Sequence, residues 1–233
     1  MAVRKIVGII LLMIHAACLS AQPIHAAQIV FHPAYNKTML HLADSAFVSS
    51  AKDSLEIDLF KFYISGIELW DNNQPVWKEP NSYHLINAME DNTLSLSLNC
   101  SPNLAFNKIK FNLGIDSSTN FAGVQGGDLD PMRGMYWTWQ SGYINFKLEG
   151  KSPLCQTLHH EFEFHLGGYH SPYNTLQTIV LPIKKQGTIN ILADIQQFIA
   201  QLDLAKQNHI MTPGKEAAVL ASKVSTIFSI IEP

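Results

Sequence analysis

Charged side chains are scarce in this sequence. Of its 233 residues, 15% are charged and 47% are hydrophobic, and the formal net charge is -3. This balance is typical of a globular protein and not of a disordered chain. The sequence also has no long run of basic residues, so it lacks the electrostatic footprint of a nucleic-acid-binding protein.

Long apolar runs are missing too, apart from one near the start. Two basic residues precede an apolar segment at residues 6–17, and small residues follow it. This order predicts a signal peptide over residues 1–27, cleaved after Ala27 or nearby after Ala21, and a periplasmic or secreted protein. The run is short for a transmembrane span, and no later stretch qualifies. Because His15 stands where a lipoprotein signal has an aliphatic residue, we do not expect a lipid anchor.

Cysteine is rare. The sequence has three cysteines, and removal of the signal peptide takes away Cys18. In an oxidising compartment the remaining two, Cys100 and Cys155, most simply pair with each other. A thiolate metal ligand is the alternative. Neither cysteine has a second Cys or a His at zinc-finger spacing, so the disulfide is favoured.

Catalytic motifs are absent as well. The sequence contains no G-x-S-x-G elbow, no H-E-x-x-H pair and no cysteine in a catalytic setting. These absences disfavour a hydrolase. We therefore expect a protein without catalysis of its own.

What the sequence does contain is a series of short strands. Apolar residues alternate with polar ones around Leu96, Phe111 and Phe164, and Gly, Pro and Asn punctuate the segments between them. This pattern predicts an all-β fold, an antiparallel β-sandwich, for a single domain at residues 28–233. The apolar set changes phase within residues 54–70, which predicts a bulge or a bend.

The end of the chain changes to a helical period. Asp194 is a suitable N-cap for one helix, and Thr212 with Pro213 suits the start of a second, with proline at the first helical position. The fold prediction therefore includes a short helical C-terminal tail of two helices within residues 194–230.

Residues 126–150, GGDLDPMRGMYWTWQSGYINFKLEG, combine acids, sulfur and indoles in a turn that leads into a strand. Asp128 and Asp130 suit calcium by their hard oxygens, but two carboxylates without a following Glu favour an Asx-turn that orders the loop. Trp137 and Trp139 are two positions apart, so on a strand they share a face. Core packing is the ordinary role of such a pair, and the alternative is a place beside a metal.

With these residues in view, the chain resembles the MbnP-like family of exported copper-binding proteins. The central stretch is long and unusual enough to be specific, and the flanking pieces support it. The matching pieces are IVFH (29–32), KFYISGIEL (61–69), SYHLIN (82–87), FNLGID (111–116), GDLDP and GMYWTWQSGYINFKLEG (within 126–150), FHLGGY (164–169) and NHIM (208–211).

The resemblance implies a periplasmic or surface β-sandwich that binds copper. It also implies a partner, a di-haem cytochrome-c-peroxidase-like protein, which oxidises a tryptophan to kynurenine as part of the copper site. In this chain Trp137 or Trp139 would be that tryptophan. The chain lacks the extra cysteines of the four-Cys branch and so fits the branch without them.

His165 is the main candidate ligand. In FEFHLGG the apolar residues face one way, so His165 projects to the opposite side with Glu161 and Glu163. Its match to the family's H-x-G-G element favours a metal ligand over a surface histidine. Imidazole suits copper, and thioether favours the cuprous state.

Other side chains complete the predicted site. His159 and His160 are adjacent, so on a strand they cannot both bind one ion. His209 and Met211 face the same way if their segment is extended and could then offer imidazole and thioether; if the segment begins a helix cap, they serve packing alone. Carboxylates can accept the second N–H of a ligand imidazole. The further candidate ligands are His32, His84, His209 and Met211, and the candidate carboxylates are Glu163, Asp128 and Asp130.

A second interpretation is a carbohydrate- or polymer-binding sandwich. Four aromatic residues would then form an exposed stacking platform: Trp137, Trp139, Tyr143 and Tyr169. Stoichiometric binding of copper with high affinity would favour the metal-binding interpretation. Glycan binding that is insensitive to chelators would favour the aromatic platform.

Overall fold

The computed structural model of the chain describes residues 27–40, 42, 46–49, 54–138, 140–184 and 187–231. The predicted signal peptide, apart from its last residue, and Trp139 lie outside these residues. Within them, no helix combines the length and the apolarity that crossing a membrane requires.

Strands dominate the described part of the chain and form two sheets. In chain order they are β1 (Ala27–Tyr35), β2 (Thr38–Met39), β3 (Ala46–Ser49), β4 (Ser54–Asp71), β5 (Gln74–Lys78), β6 (Tyr83–Asn87), β7 (Ser95–Leu98), β8 (Lys108–Leu113), β9 (Ile144–Lys151), β10 (Glu161–Gly167), β11 (Gln177–Pro182), β12 (Thr188–Asp194), β13 (His209–Ile210) and β14 (Phe228–Ile230).

The smaller sheet has the order β14-β12-β1-β2, with β7 also beside β1. The larger sheet has the order β11-β8-β4-β9-β10-β13, and β3, β5 and β6 also pair with β4. The predicted all-β sandwich is confirmed. Most pairings are antiparallel, but β1 with β12 and β10 with β13 are parallel. The sequence did not predict these two parallel pairs. Parallel strands need a crossover connection, and the alternation of polar and apolar residues along a strand does not reveal such a connection.

The main core lies between the sheets and is rich in phenylalanine. Phe31 of the smaller sheet meets Phe62 at 5.7 Å and Phe111 at 6.1 Å between ring centroids, both edge to face. Phe228 of β14 approaches Phe62 at 5.5 Å in the same manner. Such aromatic pairs add to the stabilisation from burial alone, so these contacts hold the two sheets together.

The long strand β4 carries the predicted irregularity. Its pairing with β9 shifts register between Ile57 and Leu59, and its pairing with β8 shifts between Ser65 and Glu68. Gly66 adopts a φ of 58°, a value that glycine reaches without steric cost. The change of apolar phase in this segment is therefore a pair of bulges.

The C-terminal tail differs from its prediction. Helix α2 (Gln196–Ile199) is a single turn, and helix α3 (Lys215–Val224) starts after Gly214 and not at Pro213. The chain then leaves the helix and becomes β14, so the predicted helical tail ends in a strand. An earlier short helix, α1 (Ser117–Ala122), was not predicted.

Asp194 is not the predicted N-cap, because the N-cap of α2 is Ile195. The carboxylate of Asp194, at the end of β12, accepts from Gln196 N at 3.1 Å. It also accepts from Asn36 N at 2.8 Å and Lys37 N at 2.9 Å, in the turn between β1 and β2. A buried carboxylate with three backbone donors is well satisfied, and here it ties the start of the chain to the tail.

The two cysteines of the domain are not bonded to each other in this structure. Cys100 and Cys155 are both buried free thiols in this structure, and burial raises the pKa of each. The predicted disulfide is not confirmed.

Candidate metal centre

Residues 126–138 and 140–143, here called the covering segment, lie across the outer face of the larger sheet. A second apolar cluster, separate from the main core, includes Tyr63, Leu129 and Tyr143. The hydroxyl of Tyr63 donates to Asp128 O at 2.9 Å, and that of Tyr143 donates to Leu129 O at 3.0 Å. The first bond ties the covering segment to β4, and the second closes the segment on itself.

The acids of the covering segment have structural partners. Asp130 accepts from Met132 N at 2.8 Å, and Asp128 accepts from Leu85 N at 3.1 Å. The first contact is the favoured Asx-type arrangement. The second fixes the segment to β6.

Three side chains form a row across the outer face, because Lys61 pairs with Lys147 and Lys147 pairs with His165. Lys61 Nζ donates to Arg133 O at 3.3 Å and Lys147 Nζ to Gly134 O at 3.5 Å, which joins the row to the covering segment. Burial lowers the pKa of Lys61. His165 therefore lies at the margin of a covered part of the sheet.

His165 is held by a carboxylate. Its side chain is 6% exposed, and Nε2 lies 2.7 Å from Glu149 Oε1. The same oxygen of Glu149 is 3.3 Å from Lys147 Nζ. The hydrogen bond from His165 lowers the pKa of the Glu149 carboxyl, against the opposing effect of burial. Glu149 is thus an ionised acceptor at neutral pH.

A second imidazole joins this cluster from β13. His209 pairs with Glu163 in parallel register, and its Nδ1 lies 2.9 Å from Glu163 Oε2. Potential ligand atoms of Glu149, Glu163 and His165 all lie within 4.8 Å of one another. Three side chains from two adjacent strands therefore form a compact group on the outer face, and His209 of the next strand contacts one of them, Glu163.

The hydrogen bonds define which nitrogen of each imidazole is available. An ionised carboxylate can only accept, so Nε2 of His165 and Nδ1 of His209 carry the protons of these contacts. The lone pairs then belong to Nδ1 of His165 and Nε2 of His209. An imidazole with one N–H on a carboxylate is the usual state of a metal ligand in proteins.

Met211 lies next to the cluster along the chain. The last paired residues are Phe164 and Ile210, so Met211 follows at the level of His165. It is half-buried. Of the two arrangements considered for this segment, the structure shows the extended one for the two residues of β13.

His32 and His84 do not join this cluster. His32 lies on β1 in the smaller sheet, where its Nε2 is 2.9 Å from Asn190 Oδ1. His84 pairs with Ile64, a residue of the main core, and its Nε2 is 2.8 Å from Glu79 Oε2. Of the predicted imidazoles, His209 contacts Glu163 in the group that holds His165, and the other two lie elsewhere.

Trp137 packs beside the cluster. A Cβ on Gly167, two residues beyond His165 on β10, would stand 2.7 Å from Trp137 Cζ3. The indole is half-buried against the outer apolar cluster. It is not on a strand as predicted, because Trp137 N bonds to Gly142 O at 3.1 Å and Gly142 N to Thr138 O at 2.7 Å, which closes a loop.

The exposed aromatic platform is not formed by the residues proposed for it. Tyr143 is 1% exposed and Tyr169 is 8% exposed. Stacking on a sugar requires an open ring face, and these two rings are buried. The remaining described ring, Trp137, is half-buried.

Glu149 is the site residue that the sequence did not reveal. It lies in the quoted FKLEG piece, and alternation places it on the polar side of β9. Its position beside His165 follows from the register of β9 with β10, in which Glu149 pairs with Glu163. A sequence alone does not state that register.

A family model for MbnP matches residues 25–212. The chain belongs to the MbnP family. A solved structure of MbnP from Methylosinus trichosporium superposes with a TM-score of 0.59 at 13% sequence identity, over 76% of this chain and 78% of that chain. At this identity the likeness to the solved MbnP shows a shared fold. A search of curated proteins found no matching sequence.

Proposed function

We propose that this protein is an exported copper-binding protein that acquires or handles copper, without catalysis of its own. The proposal rests on one observation above all. Two imidazoles, His165 and His209, each braced by a carboxylate, converge on the outer face of β10. Family membership supports the proposal, since the MbnP-like family is one of exported copper-binding proteins.

The donor set fits copper. Imidazole nitrogen is a preferred ligand of copper, and carboxylate oxygen suits the harder cupric state. His165 and His209 would each supply one nitrogen ligand. Glu149 and Glu163, the hydrogen-bond partners of these imidazoles, would supply carboxylate oxygen beside the ion. Met211 would add a thioether, which favours the cuprous state. The protein's contribution is to hold the imidazoles in fixed orientation and tautomer.

The tryptophan proposal concerns Trp137 first, because its indole packs beside the cluster. Its oxidation by a di-haem cytochrome-c-peroxidase-like partner remains part of the proposal, and Trp139 is the alternative. Conversion of tryptophan to kynurenine adds one oxygen and removes one carbon, a gain of about 4 Da. Intact mass of the protein made with and without that partner tests this step. An unchanged mass with the partner present contradicts it.

Copper analysis of three proteins tests the site. The wild type and His84→Ala should retain copper in equal stoichiometry after loading and desalting, and His165→Ala should bind one ion fewer. His84 is a matched control because its Nε2 also contacts a carboxylate, at 2.8 Å from Glu79, away from the cluster. Equal copper in the wild type and in His165→Ala refutes the ligand assignment.

A further inference from the structure

A cavity of about 340 Å³ lies beside the smaller sheet, away from the centre described above. Its lining comes from β1, from the β2 region and from the segment that follows β6. Polar and sulfur-bearing side chains are unusually frequent in it. They are His32, Met39, Met89 and Asp91.

The two methionines are notable because they remain accessible. Met39 is 40% exposed and Met89 is 41% exposed, although thioethers usually serve to fill cores. Both border the same cavity from different segments of the chain. A methionine side chain has three rotatable bonds, so two of them can converge on a small guest inside a cavity of this size.

His32 is prepared as a donor in the same cavity. Its Nε2 lies 2.9 Å from the side-chain oxygen of Asn190. An amide oxygen only accepts, so Nε2 carries the proton and the lone pair belongs to Nδ1. A fixed tautomer with one N–H on an oxygen acceptor is the arrangement that metal-binding imidazoles use.

The net charge of the side chains that line the cavity suits a monovalent cation. Asp91 is the charged residue among those lining it, and no Lys or Arg is among them in the described part of the chain. Two thioethers and one neutral imidazole carry no charge. A monovalent cation bound by them is therefore offset by one nearby carboxylate.

We propose that this cavity is a second metal site, specific for a soft monovalent ion, Cu(I) or its analogue Ag(I). His32 Nδ1 and the sulfurs of Met39 and Met89 are its ligands. Thioether sulfur selects soft ions, whereas a carboxylate-rich site such as that of Glu149 and Glu163 suits harder ones. The second site thus offers two thioethers and no carboxylate ligand, whereas two carboxylates lie at the first centre.

Silver titration of protein labelled with ¹³C at the methionine methyl groups tests the site directly. The methyl signals of Met39 and Met89 should shift together and saturate at one equivalent, whereas the signal of Met132, which is 91% exposed, should not move. Silent Met39 and Met89 signals overturn the proposal. Equal shifts of all exposed methionines, which indicate unspecific binding to thioethers, overturn it too.

Competition for Cu(I) against a chromophoric cuprous chelator separates this site from the first. The double variant Met39→Leu/Met89→Leu, in which volume is nearly conserved, should bind one Cu(I) fewer than the wild type. His165→Ala should keep that ion, even if the centre at His165 proves not to bind copper. Met132→Leu is the matched control and should bind as the wild type does.

His32→Asn should weaken the second site by about tenfold or more, the scale on which changes around a metal ligand act. Circular dichroism of each variant confirms that it is folded. A folded double variant or a folded His32→Asn with wild-type Cu(I) stoichiometry and affinity overturns the assignment.

Discussion

The two faces of β10 behave differently. On the inner face, Phe162 and Phe164 are fully buried, and Phe164 meets Phe198 of α2 at 5.3 Å between ring centroids. On the outer face, Glu163 and His165 contact an imidazole of β13 and a carboxylate of β9. One face is held by apolar packing, and the other by directed polar contacts.

This difference separates stability from function. Apolar burial contributes most of the free energy of folding, whereas exposed ion pairs contribute little. The outer face can therefore be specialised for a ligand at small cost to the fold. Changes on the inner face should act on folding, and changes on the outer face should act on binding.

The largest effect on stability is expected from Phe164→Ala. Loss of a fully buried ring leaves a cavity and should reduce the free energy of unfolding by about 3–5 kcal/mol. Urea denaturation measures it, with Phe121→Ala as control because Phe121 is 82% exposed. Copper bound per folded molecule should not change. A loss of copper from the folded variant would show that the two faces are coupled.

A smaller effect is expected from Gly167→Ala at the end of β10. The new methyl would lie 2.7 Å from Trp137 Cζ3 and 2.6 Å from the backbone oxygen of Tyr143, so the indole must move. Overpacking of this kind costs about 1–3 kcal/mol. Near-ultraviolet circular dichroism should report the altered tryptophan environment. Gly126→Ala is the control, because no atom lies within 4 Å of its added Cβ, and a matching spectrum for both variants contradicts the contact.

Asp116 provides a pH-dependent effect beside the outer apolar cluster. Although burial acts to raise it, hydrogen bonds from Ser118, Thr119 and Tyr83 lower the pKa of this N-cap carboxyl to about 2. The folded-state pKa is below the unfolded value of about 3.9. The stabilisation is therefore complete above about pH 4 and is lost as the pH falls through about 2.

Asp116→Asn should accordingly be less stable than the wild type at neutral pH, with a difference that shrinks as the pH falls through this window. Urea unfolding over the acidic range measures it. A difference in stability that is constant with pH would mean that the charge of Asp116 does not contribute.

The smallest effect on stability is expected from His209→Gln. Its hydrogen bond with Glu163 joins side chains that are 58% and 37% exposed, and exposed polar pairs of this kind contribute under about 1 kcal/mol. The proposed copper affinity, in contrast, should fall clearly because a nitrogen ligand is lost. Thermal unfolding and copper competition on the same samples compare the two. A large loss of stability with unchanged affinity would reverse the roles assigned to the faces.

The sequence predicted the apolar half of the fold well. Period-two alternation placed Phe162, Phe164 and Leu166 inside, and the phase change in β4 predicted its bulges. These features are local, because each depends on neighbours within a few positions. The reliance on local pattern also explains why β14 was missed. Val224 and Ile227 fit a helical period up to the point where the chain leaves α3.

The sequence located the candidate site only in part. His209 contacts Glu163, which lies in one group with His165, but His32 and His84 were grouped with them although they lie elsewhere. The reason is that sheet membership and register are non-local, and no residue in these segments states which strand it will pair with. The partnership of Glu149 with His165 depends on the same information.

The unequal exposure of the two imidazoles has a consequence for the order of events. His209 stands open to solvent, whereas His165 is almost enclosed beside a segment that the hydroxyl of Tyr63 anchors to the sheet. In the proposed copper centre an arriving ion would meet His209 first and would reach His165 only after losing water. Capture and retention would then be separate steps, with the outer imidazole governing how fast an ion is gained and the inner one how long it stays.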